Sequence, residues 1–305
     1  MPAPSVLVIG NCTVDLSFAV PRFPHAGETL LAHERRVDLG GKGANQAIVA
    51  RRFGARTLLA APIGWDAEGD WAWARLQAEG LPPHGIRRTD TATDQSIIYV
   101  TPEGENSIVS SHQSAALATA DWGRSAVATA PAGTILVMQG NLSLPTTCAA
   151  LGAARARNLR TVVNPAPIQY SYERIFPLTD VALLNEVEAR ELGGGDDAIA
   201  AAQAIHESGV GTVIVTLGAQ GAVAISRSGR ERMPAPSVAA VDTVGAGDVF
   251  CGALVACLAR DAGLLAALRV AVEAASLSVT RRGTLSSFPS AAEAAAILEH
   301  HGIAP

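Results

Sequence analysis

This sequence predicts an α/β fold in which a mainly parallel sheet is covered by helices on both faces and a small second β-sheet projects from it. Three observations carry that expectation. Short apolar runs alternate with longer Ala-rich segments along the chain. The apolar runs are nearly continuous, as in strands buried on both faces. Two regions, 15–20 with 28–39 and 95–101 with 106–110, break the rhythm with extended, mixed-polarity sequence.

The first expected strand is 6–9, followed by extended segments at 15–20 and 28–39 and a helix over 44–53. A buried strand at 57–61 leads into a helix over 69–78. Residues 95–101 and 106–110 flank the turn signal Pro102-Glu103-Gly104 and read as a hairpin. We place these extended segments together in a small lid sheet. From there strands at 135–138, 161–163, 181–184, 212–216 and 222–225 alternate with helices over 144–157, 185–192, 198–207, 246–260, 264–279 and 291–300. Such alternation predicts a parallel sheet whose active site lies at the carboxyl ends of its strands. With no internal repeat or low-complexity linker, one domain over 1–305 is expected, with the lid at about 14–40 and 94–112.

Composition narrows the function. Of 305 residues, 49% are apolar, enough for a large core, and 17% are charged, below the usual share of about 25%. The net charge is −5 and arginine occurs in isolated pairs, which argues against a nucleic-acid partner. No uncharged apolar stretch approaches the roughly 18 residues of a membrane span, and the start of the chain lacks the pattern of a signal peptide. Cys12 and Cys148 lack metal-site spacing, and Cys251 and Cys257, six apart in an apolar helix, read as packing residues, so a reducing cytoplasmic setting is expected.

The densest chemical signal is Asp242-Thr243-Val244-Gly245-Ala246-Gly247-Asp248, followed by an apolar helical stretch. Nearly bare backbone at a helix start makes an anion site, helped by the positive end of the helix dipole. A carboxylate directly after an anion site makes sense if Asp248 takes a proton from an alcohol that attacks a phosphoryl group held by Gly245, Ala246 and Gly247. The second dense motif, Gly40-Gly41-Lys42-Gly43-Ala44-Asn45-Gln46-Ala47, lacks the spacing of a P-loop. Its glycines let backbone approach a ligand, and Asn45 offers a donor and an acceptor to a sugar hydroxyl. Asp15, at a strand end, could accept from two hydroxyls. Asn185 and Glu188 have the spacing of a capping box, with ordering of a magnesium-bound water as the functional alternative. Thr216-Leu217-Gly218 ends a strand and either contacts a nucleotide or simply turns the chain. The histidines form no metal pattern, and His300-His301 reads as a solvated helix end. The dinucleotide fingerprint is absent, which argues against a nicotinamide dehydrogenase.

Together these segments resemble the ribokinase-like carbohydrate kinase family from about residue 5 to residue 290, through Gly40–Ala47, Gly104-Glu105-Asn106, Asn164-Pro165-Ala166-Pro167, Asn185 to Glu188, Thr216 to Gly221 and Asp242 to Asp248. The resemblance implies a three-layer α/β/α sandwich with a lid, and an ATP-dependent kinase acting on a primary hydroxyl of a small sugar. It implies Asp248 as base and Gly245, Ala246 and Gly247 as anion hole. Thr13, Asp15, Gly41, Lys42, Asn45 and Asn141 would face the sugar. Asn185, Thr216, Gly218, Gly221 and Gly247 would face ATP, and Glu188 would hold magnesium through water. Asp242, Val244, Ser278, Gly283 and Ser287 would match a site for an activating potassium ion, and two lids would pack together in a homodimer. Thr13 and Asn141 replace the asparagine and glutamate usual in the family, and Gln95 and Ser96 replace smaller lid residues, so the sugar pocket is expected to be altered. A nucleoside kinase on the same fold is the alternative. A sensor that lost catalysis is more remote, because Asp248 and the glycine run are both present.

Overall fold

The computed structural model describes residues 5–304, which form a nine-stranded sheet, a separate four-stranded sheet and helices on both faces of the larger one. The strands of the large sheet are β1 (Ser5–Ile9), β4 (Arg56–Gly64), β5 (Ile86–Thr89), β8 (Ile135–Gln139), β9 (Arg160–Asn164), β10 (Val181–Asn185), β11 (Thr212–Thr216), β12 (Ala222–Ser226) and β13 (Gly229–Met233). They lie in the order β13-β12-β11-β10-β9-β8-β1-β4-β5. All neighbours are parallel except β11-β12 and β12-β13. The small sheet holds β2 (Thr13–Ala19), β3 (Glu34–Gly40), β6 (Gln95–Val100) and β7 (Asn106–Ser110), in the order β3-β2-β6-β7.

Alternate residues of each buried strand feed two cores, because successive side chains of a strand point to opposite faces. Val6, Val8, Val137, Leu183 and Ile214 pack with α1 (Lys42–Arg52), α2 (Ala67–Ala78), α8 (Ala246–Leu258), α9 (Leu264–Ser278) and α10 (Ala291–His300). Leu7, Ile9, Leu136, Met138, Leu184 and Val213 pack with α4 (Ala120–Ala128), α5 (Leu144–Ala156), α6 (Glu186–Gly193) and α7 (Ala198–Glu207). A short helix, α3 (Gln113–Ala116), follows the small sheet. Helix α8 is buried from Asp248 to Leu258 and packs against both α1 and α9, which explains why it is apolar all round.

The expected α/β/α layers and small extra sheet are present. The elements that pattern reading missed have no distinctive apolar pattern. β5 (IRRT) and β13 (GRERM) are edge strands rich in arginine, and α4 mixes polar and apolar residues. Residues 28–33 lie outside the strand expected there, since β3 begins at Glu34.

Candidate active site

The expected residues gather where the parallel strands end. Gln139 and Asn164 are register partners at the ends of β8 and β9, and Asn185 and Thr216 at the ends of β10 and β11. Beyond β1, Asn11 accepts from Gly43 N–H with Oδ1 (3.3 Å) and from Ala44 N–H with its carbonyl (3.0 Å), docking the start of α1 on the strand end. A Cβ on Gly43 would sit 2.7 Å from the Asn11 backbone, so glycine is required there for close approach.

Asp248 is the centre of a buried network. One carboxylate oxygen accepts from Asn45 Nδ2 and the other from Gln46 Nε2, each at 2.9 Å. Gln46, fully buried, also donates to Asn164 Oδ1 (3.1 Å) and accepts from Gln139 Nε2 (2.8 Å). Asn164 in turn donates to the carbonyl of Leu183 (3.0 Å). Three strand ends thereby fix the orientation of one carboxylate. Asn45 keeps a buried Oδ1 with no protein partner. Sequence reasoning named Asn45 and missed Gln46, Gln139 and Asn164 as supports, since nothing along the chain signals amides converging from three elements.

The glycine turn before Asp248 opens α8. Gly245, with φ 79°, caps it in the left-handed conformation, and a Cβ there would meet the Phe288 ring at 2.8 Å. Gly247 differs, because a Cβ there would meet nothing within 4 Å. Packing does not demand that glycine, and the backbone beside it is open to a ligand. Ala246 N–H donates weakly to the Thr243 carbonyl (3.3 Å), the first-turn N–H groups lack intrahelical partners, and the dipole favours an anion there.

The small sheet presents two unlike faces. Asp38, Asp15, Ser96 and Ser110 are aligned across β3-β2-β6-β7 as a polar row. Val37, Leu16, Ile97 and Val109 form the next row, on the opposite face. Asp15 is buried on the polar row, and burial pushes its carboxyl up to about 6, opposed by the hydroxyls of Thr13 and Ser96. Thr13 donates to Asp15 Oδ1 at 2.7 Å, so its hydrogen serves to orient that carboxylate. Ser96 is on the site-facing row, whereas Gln95 pairs with Val14 and belongs to the other face. Asn141 follows β8 with its carbonyl 3.1 Å from His112 Nε2 and its Oδ1 buried without a partner. A cavity of about 520 Å³ separates the inner face of the small sheet from residues around Asp242 and Gly283, and Val20, Ile98, Val100 and Arg282 line it.

On the other side, Asn185 and Glu188 form the capping box. Glu188 N–H donates to Asn185 Oδ1, and both Glu188 oxygens accept from Asn185. Burial raises the Glu188 carboxyl, while Asn185 N–H and the Lys42 charge lower it. Gly41 (φ 88°) caps α1, and its Cβ would lie 2.9 Å from Cys12 Cα. Gly221 (φ 90°) would carry a Cβ 2.0 Å from the Met233 carbonyl, so the fold itself explains that glycine. Gly218 (φ 54°) and Thr216 lie at the end of β11, with Gly218 open to solvent. Asp242 accepts from Val244 N–H and Gly283 N–H, each at 3.0 Å, closing a loop of oxygen donors. Ser278 and Ser287 are buried and donate to the carbonyls of Ala275 and Thr284, which leaves their lone pairs free. Among the described residues, neither serine side chain hydrogen-bonds to the Asp242 loop.

The pfkB family carbohydrate kinase model matches residues 3–291. Ribokinase of Haemophilus influenzae is 34% identical over 97% of this chain and 99% of its own. Deoxyribokinase of Salmonella typhi is 31% identical over 93% and 95%. The crystal structure of ribokinase from Thermotoga maritima superposes with a TM-score of 0.87 at 31% identity, covering 96% of this chain and 99% of that one.

Proposed function

The chain belongs to the pfkB family of carbohydrate kinases, and from that premise we propose that it transfers the γ-phosphoryl group of ATP to the primary hydroxyl of ribose or a closely related pentose. The observation that carries this reading is the Asp248 carboxylate, gripped by two amides at a glycine-lined helix start. The sugar lies between the polar row of the small sheet and α1, which makes that sheet a lid. Asp15 accepts sugar hydroxyl hydrogens, helped by Lys42 and the backbone at Gly41, and the unpartnered Asn45 Oδ1 accepts another. Thr13 acts by orienting Asp15, and Asn141 meets the sugar from β8. Asp248 takes the proton of the primary hydroxyl as its oxygen attacks the γ-phosphorus. The bond to the β–γ bridging oxygen breaks, and ADP leaves. Backbone N–H groups of Gly245, Ala246 and Gly247 stabilise the charge on the group in transit. Most of the catalysis is positioning and charge stabilisation.

Asn185, Thr216 and Gly218 face the nucleotide. Glu188 fits a magnesium site reached through water, since its outer lone pairs remain available beyond the cap. The Asp242 loop, with Val244, Gly283, Ser278 and Ser287, offers oxygen donors suited to potassium. Equal turnover in sodium, potassium and a bulky organic cation would exclude that site. We place the protein in the cytoplasm, a reading supported by four unpaired cysteines, three of them buried. No helix among the described residues is long and apolar enough to cross a membrane.

The testing experiment is a coupled ADP-release assay with ATP, magnesium and potassium over ribose, 2-deoxyribose, other pentoses, hexoses and nucleosides. The largest kcat/KM is expected for ribose or deoxyribose. A nucleoside winning would establish the second reading, which the cavity beyond Asp15 favours by its size and its apolar Ile98 and Val100. Asp248→Asn should keep nucleotide binding and lower kcat by about 10²–10⁴. Wild-type turnover in that variant excludes Asp248 as the base.

A further inference from the structure

Outside this site, α9 and α10 bring together three potential metal ligands that the kinase reaction does not use. His300 Nδ1 and His301 Nε2 lie 3.1 and 2.8 Å from the same oxygen, Glu273 Oε2. The two imidazoles stack at 4.7 Å between centroids with 29° between planes, each with one nitrogen on that oxygen. Glu273 has no arginine or lysine partner among the described residues. His301 is largely buried and His300 largely exposed, so the cluster is fixed on one side and open to solvent on the other. His300 is the last residue of α10 and His301 its C-cap, where the negative end of the helix dipole favours a cation. The expected solvated helix end holds for His300, while His301 packs onto α9 and both rings reach Glu273.

We propose that Glu273, His300 and His301 bind a divalent transition-metal cation of the zinc class. Two imidazoles and a carboxylate suit Zn2+, with water completing the coordination. A tetrahedral centre with bonds of about 2.0–2.1 Å needs donors about 3.3 Å apart, so the two separations to Glu273 Oε2 must widen by a few tenths of an ångström, and the three donor atoms already lie within 4.8 Å of one another. The ion clamps the C-terminal helix to α9, whose next residue, Val279, accepts the backbone N–H groups of Val241 and Asp242. The site therefore belongs to stability rather than chemistry.

Isothermal titration of the full chain with ZnCl2, without nucleotide, tests this. The expected result is one Zn2+ per chain and a thermal midpoint that Zn2+ raises. Loss of an outer partner alone costs metal sites about 10–100-fold, so His300→Ala, His301→Ala and Glu273→Gln should each weaken binding by at least about tenfold. Each variant should lose the thermal shift and keep wild-type kinase turnover in the absence of zinc. His301→Gln, which keeps a polar side chain of moderate size, guards against a merely misfolded alanine variant. Binding below one per chain, or equal affinity in wild type and variants, would overturn the proposal and leave Glu273 with two imidazole hydrogen bonds only.

Discussion

In the proposed reaction Asp248 is the base, and its direction is set by Gln46, a fully buried side chain. Both donors on the Gln46 amide are used, on Asp248 and Asn164, and its oxygen is filled by Gln139. Gln46→Leu removes those bonds and strands buried partners, at about 1–3 kcal/mol each. It should lower kcat by about tenfold or more with little change in KM for ATP, as steady-state kinetics would read. An unchanged kcat would mean that Asn45 alone suffices. Asp15 supplies a pH signature. Unfolded, it titrates near 3.8, and folded, near 6. Between those values the native state holds a proton that the unfolded chain has released. The neutral form's stabilisation is therefore complete below about 4 and lost as pH rises through about 6. The proposed sugar contact uses the charged form of Asp15, so kcat/KM for the sugar should climb up to about pH 6 and then level. Asp15→Asn should abolish that climb and be more stable than wild type at pH 8 in denaturant titrations. The meeting of Asn45 with Asp248 was foreshadowed in the sequence, because each stands in a glycine-rich motif at a helix start, whereas Asp15 was singled out only by its place after the first strand. The orienting role of Thr13 was not legible, since it exists only through a 2.7 Å contact that depends on the strand's local geometry.

At the scale of elements, the start of α8 separates glycines required by the fold from glycines open to a ligand. Gly245→Ala would force a left-handed alanine against Phe288. Gly247→Ala meets no neighbour, so thermal stability should be unchanged or slightly raised by better helix propensity. The added methyl would project into the proposed phosphoryl path, and kcat should fall. A normal kcat in Gly247→Ala would remove that backbone from the anion hole. The buried strands were readable because two-sided burial leaves near-continuous apolar runs. The edge strands β5 and β13 were not, because one side of each lacks a strand partner and their sequences follow no single pattern. The parallel pairing of β2 with β6 was equally invisible, being a long-range choice that neither segment's own residues encode.

At the scale of the molecule, the small sheet leaves Val37, Ile97 and Val109 uncovered on its outer face, with Val109 65% exposed. Uncovered apolar rows of this kind mark association surfaces. The homodimer we propose through this face predicts a dimer mass by light scattering, and Val109→Asp should shift it toward monomer. A wild-type monomer at working concentration would rule that face out. The grip on Asp248 has a further consequence for how the protein comes to life. Its two amide donors lie 203 and 202 residues earlier in the chain. A growing polypeptide that has made α1 has yet to make the aspartate, and a fragment cut between them holds one without the other. Closing so long a loop belongs to the slow, late part of assembly. Kinase activity should therefore trail helix formation on refolding, and an unfinished chain cannot spend ATP.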